Sequence, residues 1–222
     1  YYDDHCAERP AKATSMPRTI SGLYVIIDPA ACRGRSPIDV SRLALEGGAS
    51  ILQWRDKRRD RGDQLADARA IVALCREYGA IFIANDEPDL ALEVGADGVH
   101  LGQDDLPIET VRPMVGDVMI IGVSTNNAGE ARRAEAAGAD YVAVGAIFPT
   151  SSKDVTRAAS VERLREGKAA VRVPVVAIGG INASNIASIV AAGADAAAVI
   201  SAVCAADAPR AAAAELAAAF RA

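Results

Sequence analysis

The sequence predicts a single (β/α)8 barrel. Three observations carry that prediction: short apolar runs alternate with helical stretches along the chain, helical stretches close repeatedly on a Gly-Ala corner, and almost every apolar run ends in polar or glycine residues. Strict alternation of strand and helix produces a parallel sheet. An open doubly wound sheet gathers its ligand residues mainly at one switch point. A closed ring instead brings all strand ends to one mouth. The ends here are Gln53-Trp54-Arg55, Asn85-Asp86, His100, Ser124-Thr125, Thr150, Gly179-Gly180 and Ser201, spread over most of the units. Eight units in about 200 residues is the compact end of the barrel range.

The first strand is the apolar run 23–27, LYVII. Five of the next seven follow a helix-ending glycine, the residue that best tolerates the left-handed position after a last helical turn. Gly48-Ala49 introduces strand 51–55, Gly79-Ala80 strand 81–84 and Gly95-Ala96 strand 98–101. Gly138-Ala139 introduces strand 141–144, and Gly193-Ala194 strand 196–200. Runs 119–123 and 175–178 complete the eight, with helical stretches such as 63–78, 128–137 and 209–220 between or after them.

Composition narrows the function classes. A chain of 222 residues, 51% apolar, can bury a full-sized core as one domain. A formal net charge of −5 argues against a nucleic-acid surface but allows a local cationic pocket for an anionic metabolite. Cys6, Cys32, Cys75 and Cys204 form no ligand-like spacing and read as reduced, packed thiols. Two histidines, His5 and His100, are too few for a His-rich metal site or most triads. The longest apolar run, around 196–206, is too short to span a bilayer. Residues 1–19 carry Asp3, Asp4 and Glu8 without an apolar core, so they read as a poorly ordered extension rather than a signal peptide. Residues 20–222 would form the barrel, in a cytoplasmic, reducing location with no membrane partner.

Four groups of residues carry chemistry. In ILQWRDK, side-chain alternation puts Gln53, Arg55 and, beyond the strand, Lys57 on one face and Trp54 on the other. Arg58, Arg59 and Arg61 read as a solvated charge run. The second group is Asn85, Asp86 and Asp105. Mg²⁺ takes one or two carboxylates plus substrate phosphate oxygens and waters, which two aspartates on neighbouring strand ends suit. Against this, Asp86 could simply cap the helix entering at Glu87-Pro88. Asp104 reads as the bystander of the Asp104-Asp105 pair, and His100 as a strand-end imidazole held by hydrogen bonds. The third group, IFPTSSKD at 147–154, offers hydroxyls and one lysine to an anion. The fourth is IGGINASN at 178–185 with Val199-Ile200-Ser201, where Gly-Gly lets an anion approach the backbone. Barrels often bind phosphate between these last two loops, at a short helix N-terminus. Asn182 and Ser184 would cap there. Two anion sites are thus implied, and no Walker loop, GxGxxG or Ser-His-Asp triad is present.

In this order, QWRDK, NDEPDLALEVGADGVHLGQDD, GVSTN, DYVAVGAIFPTSSK, AIGGIN and AVISA resemble the thiamine phosphate synthase family over residues 23–203. The resemblance implies a (β/α)8 transferase joining an aminopyrimidine methyl diphosphate to a thiazole ethyl phosphate. Thiamine phosphate and pyrophosphate would result, with loss of CO₂ from a carboxylated thiazole. It further implies that Gln53, Arg55, Lys57 and Asn85 hold the pyrimidine diphosphate, with Ser124 and Lys153 also contacting it. Arg55, Lys57, Ser124 and Lys153 would act in catalysis, Asp86 and Asp105 would bind Mg²⁺, and Thr150, Ser152, Gly180, Ile200 and Ser201 would cradle the thiazole phosphate. Two positions depart from the family pattern. The usual Thr-x-Thr-Lys ends here in Ser152-Lys153, and Asn126 stands where histidine is common, which leaves its role open.

The rival readings are a thiazole tautomerase-like isomerase, another phosphate-binding barrel such as a sugar-phosphate epimerase, and a non-catalytic phosphate-ligand-binding barrel. The first lacks its expected histidine at Asn126, and the second leaves QWRDK and GQDD unexplained. The third is opposed by the complete set of proposed metal ligands.

Overall fold

The structure is a computed structural model that describes residues 19–149 and 160–221. The expected N-terminal extension therefore lies almost wholly outside the described residues. Eight strands close into a parallel barrel in sequence order, with β8 pairing back on β1. They are β1 (Gly22–Ile27), β2 (Ile51–Trp54), β3 (Ile81–Asn85), β4 (Gly98–Leu101), β5 (Ile120–Thr125), β6 (Tyr141–Val144), β7 (Val175–Ile178) and β8 (Ala196–Val199). Helices α1 (Pro37–Glu46), α2 (Arg61–Tyr78), α3 (Pro88–Val94), α4 (Ile108–Val115), α5 (Ala128–Ala136), α6 (Val161–Ala170) and α7 (Ile186–Ala191) each precede the next strand. Two more, α8 (Ser201–Cys204) and α9 (Pro209–Ala218), follow β8.

All eight predicted strands are present, with shifts at the mouth. β2 stops one residue before Arg55, and β5 runs on to include Ser124 and Thr125. β8 ends before Ile200, whose ψ of −83° leaves the extended region and starts α8.

Alternation along each strand builds two apolar layers. Tyr24, Ile26, Ile51, Ile81, Ile83, Tyr141, Ala143, Val176, Ala196 and Ala198 fill the barrel interior. Their neighbours, among them Leu23, Val25, Leu52, Trp54, Phe82, Leu101, Val142 and Val175, pack outward under the helices. Each large aliphatic side chain so buried contributes roughly 1.5–3 kcal/mol. A one-residue slip would exchange the two layers, so register is strongly fixed.

The Gly-Ala corners form at the end of the barrel opposite the mouth. Gly48, Gly79, Gly95, Gly138 and Gly193 all have positive φ, as their place after a helix requires. In three corners the next residue is aspartate, and each one bonds reciprocally to the preceding strand. Asp97 accepts from the Phe82 amide at 2.9 Å, Asp140 from Ile121 at 2.8 Å and Asp195 from Val175 at 2.7 Å. The amide of each aspartate donates to the carbonyl of the same partner. A buried strand start that would otherwise hold an unpaired N–H is thereby satisfied.

The charge run after β2 is not merely solvated. Arg58 is exposed, but Arg59 pairs with Asp56 and Asp67 and lies 5.4 Å over the Trp54 ring. Arg61 bridges α2 to Asp89 and Glu93 of α3. Cation–π contact and ion pairing explain why two arginines of a polar-looking loop are anchored.

Candidate active site

The C-terminal ends of the strands surround a cavity of about 620 Å³. Gln53 and Arg55 reach it from β2, Asn85 from β3, His100 from β4, Ser124 from β5, Gly180 from the loop after β7, and Ile200 with Ser201 from the β8 end. These predicted residues, from strand ends and the segments that follow them, therefore share one chamber. Thr150, Ser152 and Lys153 lie outside the described residues.

A polar string crosses the floor. Gln53 Nε2 donates to the Tyr24 hydroxyl at 2.6 Å, and the Tyr24 and Tyr141 hydroxyls are 3.1 Å apart. Tyr141 Oη lies 2.9 Å from His100 Nδ1, and His100 Nε2 lies 2.9 Å from Ser124 Oγ. Burial raises the Tyr24 and Tyr141 pKa values well above the ordinary phenol range, so both stay neutral hydroxyls. His100 is thus the hydrogen-bonded imidazole that its position suggested. Space for the Tyr141 ring depends on Gly122, where a Cβ would overlap ring atoms. Tyr24 and Tyr141 are site residues that sequence reasoning missed. Their signal was a phenol at an inward position of an otherwise aliphatic strand.

The acidic residues form a second cluster beside the chamber. Asn85 and Asp104 line the cavity, and the residues next to them, Asp86 and Asp105, turn toward each other. Lys57 Nζ sits 3.2 Å from Asp86 Oδ2, so Lys57, Asp86 and Asp105 meet at the rim rather than in the wall. Burial raises the Asp105 pKa, and the adjacent Asp86 carboxyl adds to the shift, against the opposing Gly102 amide and Lys57. Asp86 adopts a left-handed φ of 62°, uncommon for a residue with a Cβ and frequent at functional sites. The capping alternative for Asp86 fails: the N-cap of α3 is Glu87, with no side-chain cap bond. Asp104 is exposed and lines the cavity, while Asp105 meets Asp86.

Two mutually repelling carboxylates, partly buried and oxygen-only, suit a hard divalent cation that keeps waters and takes further oxygens from a ligand. Among the described residues, no group of three or more His, Cys, Asp or Glu side chains converges, so a closed protein cage is not on offer. Nearby, Arg55 is ion-paired with Asp28, whose other oxygen accepts from the Ala30 amide at 2.9 Å.

The glycine-rich corner differs in detail from expectation. Gly180 lines the cavity, yet its backbone also lies against Phe148 and Pro149, where a Cβ would collide. Asn182 and Ser184 do not cap α7. Asn182 Oδ1 accepts from the Ser184 amide at 2.9 Å, and Asn185 Oδ1 accepts from the Asn182 amide at 2.9 Å. Asn185 Nδ2 donates to the Gly180 carbonyl at 2.9 Å, so the turn is tied back to the glycine.

Comparison with known proteins agrees with this architecture. Residues 23–203 match the family model described as thiamine monophosphate synthase. A thiamine-phosphate synthase from Chlorobium limicola is 51% identical over 184 residues, 82% of this chain and 87% of that protein. One from Halorhodospira halophila is 46% identical over 205 residues, 91% and 96% of the two chains. The solved thiamine phosphate pyrophosphorylase from Pyrococcus furiosus superposes with a TM-score of 0.85 at 40% identity, covering 92% of this chain and 97% of its own. A 3-hexulose-6-phosphate synthase, 21% identical with a TM-score of 0.64 over 90% and 99% of the chains, shares the fold alone. Among the described residues, no helix is long and apolar enough to cross a membrane. With a family match over residues 23–203 and relatives near half identity, the chain belongs to the thiamine monophosphate synthase family and is a transferase, an enzyme of the thiamine-phosphate synthase type.

Proposed function

We propose that this enzyme joins an aminopyrimidine methyl diphosphate to a thiazole ethyl phosphate, releasing pyrophosphate and forming thiamine phosphate. A carboxylated thiazole would serve as well and lose CO₂. The observation that supports this reading is one chamber with two unlike ends. Gln53, Arg55, Asn85 and Ser124 line it from the ends of β2, β3 and β5, and Gly180, Ile200 and Ser201 line it from the segments after β7 and β8.

In the reaction, the bond between the methylene carbon and the diphosphate oxygen breaks, and its electron pair leaves with the diphosphate. The electron-rich aminopyrimidine stabilises the methylene cation, and the thiazole nitrogen lone pair forms the new C–N bond. Asp86 and Asp105 would hold Mg²⁺, which supplies charge neutralisation for the leaving diphosphate. Arg55 and Lys57, with Lys153, add cationic donors to the same anion. Gln53 and Asn85 position the pyrimidine, and Ser124, fixed by His100, offers it a hydroxyl. Thr150, Ser152, Gly180, Ile200 and Ser201 receive the thiazole phosphate. This chemistry depends on positioning and charge stabilisation more than on a side-chain base, which accords with a floor of neutral hydroxyls. The tautomerase alternative gains no support at Asn126, an amide where that reading needs a proton shuttle.

Incubating the protein with both substrates and Mg²⁺ should yield pyrophosphate and thiamine phosphate in equal amounts. Absence of both products from folded protein would refute the proposal.

A further inference from the structure

Glu130, in the first turn of α5, lies outside the cavity wall but grips two residues that form it. Its Oε2 accepts from the Gln103 side-chain amide at 2.6 Å, from the Asn126 backbone amide at 2.7 Å and from Asn126 Nδ2 at 3.3 Å. Oε1 accepts from Asn127 Nδ2 at 2.8 Å, while Asn127 Oδ1 accepts from the Glu130 amide at 3.0 Å. Burial opposes ionisation of Glu130, but these donors outweigh it and hold the carboxyl below the usual range.

Part of this arrangement is ordinary helix capping. Asn127 is the N-cap of α5, and a glutamate three residues on reaches back to the helix entrance. Capping does not account for Gln103, which belongs to the loop after β4. That loop is a tight turn in which the Gly102 amide donates to Asp105 Oδ2 at 2.7 Å. One carboxylate oxygen thus ties the end of β5 to the turn that carries Asp105.

We propose that Glu130 is a positioning residue: through Gln103 it fixes the Gly102–Asp105 turn, and so sets the Asp105 carboxylate where it and Asp86 receive a divalent cation. The inference rests on the reading of Asp86 and Asp105 as the cation site. It also gives Asn126 a role, as the second amide held by the same oxygen and presented to the cavity. An amide suits that place, because both its backbone and its side-chain N–H donate to the one Glu130 oxygen.

The test is Mn²⁺ binding followed by electron paramagnetic resonance, a readout independent of turnover, on wild type and three variants. Gln103→Ala cuts the tie and leaves the helix cap intact. Asn127→Ala cuts the cap and leaves the tie. Glu130→Gln weakens both. Gln103→Ala and Glu130→Gln should each lower Mn²⁺ affinity by about tenfold, the scale of losing an outer-shell partner of a metal ligand. Asn127→Ala should lower the melting temperature and leave Mn²⁺ affinity unchanged. Wild-type affinity in Gln103→Ala, or equal losses in all three variants, would overturn the positioning role and reduce Glu130 to a cap. No Mn²⁺ binding by wild type would overturn the cation-site reading itself, and the inference with it.

Discussion

Replacing Gly122 with alanine should disable the barrel floor. Residue 122 lies on β5 opposite Tyr141 of β6, and an added Cβ would fall among the Tyr141 ring atoms. Ordinary carbon–carbon contact is about 3.5 Å, so the ring would have to retreat by roughly 1.5 Å. The Tyr141 hydroxyl cannot follow that movement and keep its 3.1 Å contact with Tyr24 and 2.9 Å contact with His100. Overpacking costs about 1–3 kcal/mol, and two lost hydrogen bonds add about 1 kcal/mol each. The sum is about 3–5 kcal/mol, which for a domain of this size lowers the thermal midpoint by about 10 °C. Scanning calorimetry on Gly122→Ala, Tyr141→Phe and the double variant would separate the terms. Against the Tyr141→Phe background, where the hydroxyl bonds are already gone, Gly122→Ala should cost about 1–2 kcal/mol less. A midpoint for Gly122→Ala within about 2 °C of wild type would refute the packing argument.

Other perturbations probe the site and its supports. Asp86→Asn and Asp105→Asn should each lower turnover by roughly 10²-fold or more, as loss of a main charge stabiliser does; near-normal rates for both at limiting Mg²⁺ would end the metal assignment. Lys153→Ala should raise KM for the pyrimidine diphosphate more than KM for the thiazole phosphate, and equal rises would contradict a role at the diphosphate. Asp56→Asn should destabilise by about 2 kcal/mol at pH 7, through loss of charge-assisted bonds to Arg59 and the loop amides. Although burial opposes ionisation of Asp56, those donors lower its pKa. Its contribution is therefore complete above the ordinary aspartate value of about 4 and lost as pH falls through the lower folded value. Urea midpoints for wild type and Asp56→Asn should accordingly converge below about pH 4, and a gap that does not change with pH would contradict the assignment.

The strands were legible because a parallel barrel buries both faces of each one, leaving compact apolar runs between glycine corners. Their mouth ends were less so. Arg55, Asn85 and Ser124 follow the same alternation whether the ladder stops before or after them, and only the neighbouring strand decides. Asp86 and Asp105 could be paired on paper because each follows a strand, but helix capping was the better explanation of Asp86 alone until the structure gave the N-cap of α3 to Glu87 and a left-handed backbone to Asp86. The floor was hidden for a different reason. A tyrosine within an apolar run looks like core, and Tyr24 and Tyr141 are core; their function as a string needs β1, β2, β4, β5 and β6 brought together. Arg59 was misread because Trp54, Asp56 and Asp67 reach it from three directions that no local pattern displays.

The charges at the rim lead to one more consequence. Asp28 already pairs with Arg55, and Asp86 with Lys57, while Asp105 adds a third carboxylate against those two cations. An arriving diphosphate would have to win both cations from carboxylates that would then stand unpaired beside it. At an effective dielectric constant near 20, a pair of charges at 4 Å interacts by about 4 kcal/mol, a scale that fits the largely buried Arg55–Asp28 pair. Solvent screens the pair of the exposed Lys57 to about 1 kcal/mol or less, so the exchange is opposed chiefly at Arg55. A divalent cation on Asp86 and Asp105 changes the balance: it neutralises the carboxylate that Lys57 leaves and adds its own attraction for the anion. Cation and diphosphate should therefore bind cooperatively, each raising the affinity of the other by the same factor. Calorimetric titration with inorganic pyrophosphate should show at least about tenfold tighter binding with Mg²⁺ than without, a coupling of about 1.4 kcal/mol. In Asp86→Asn, which relieves Lys57 of its partner, metal-free pyrophosphate should bind more tightly than to wild type, while the benefit of Mg²⁺ shrinks. Equal pyrophosphate affinity with and without Mg²⁺ in wild type would mean that the carboxylate pair and the cations of β2 act on separate ligands.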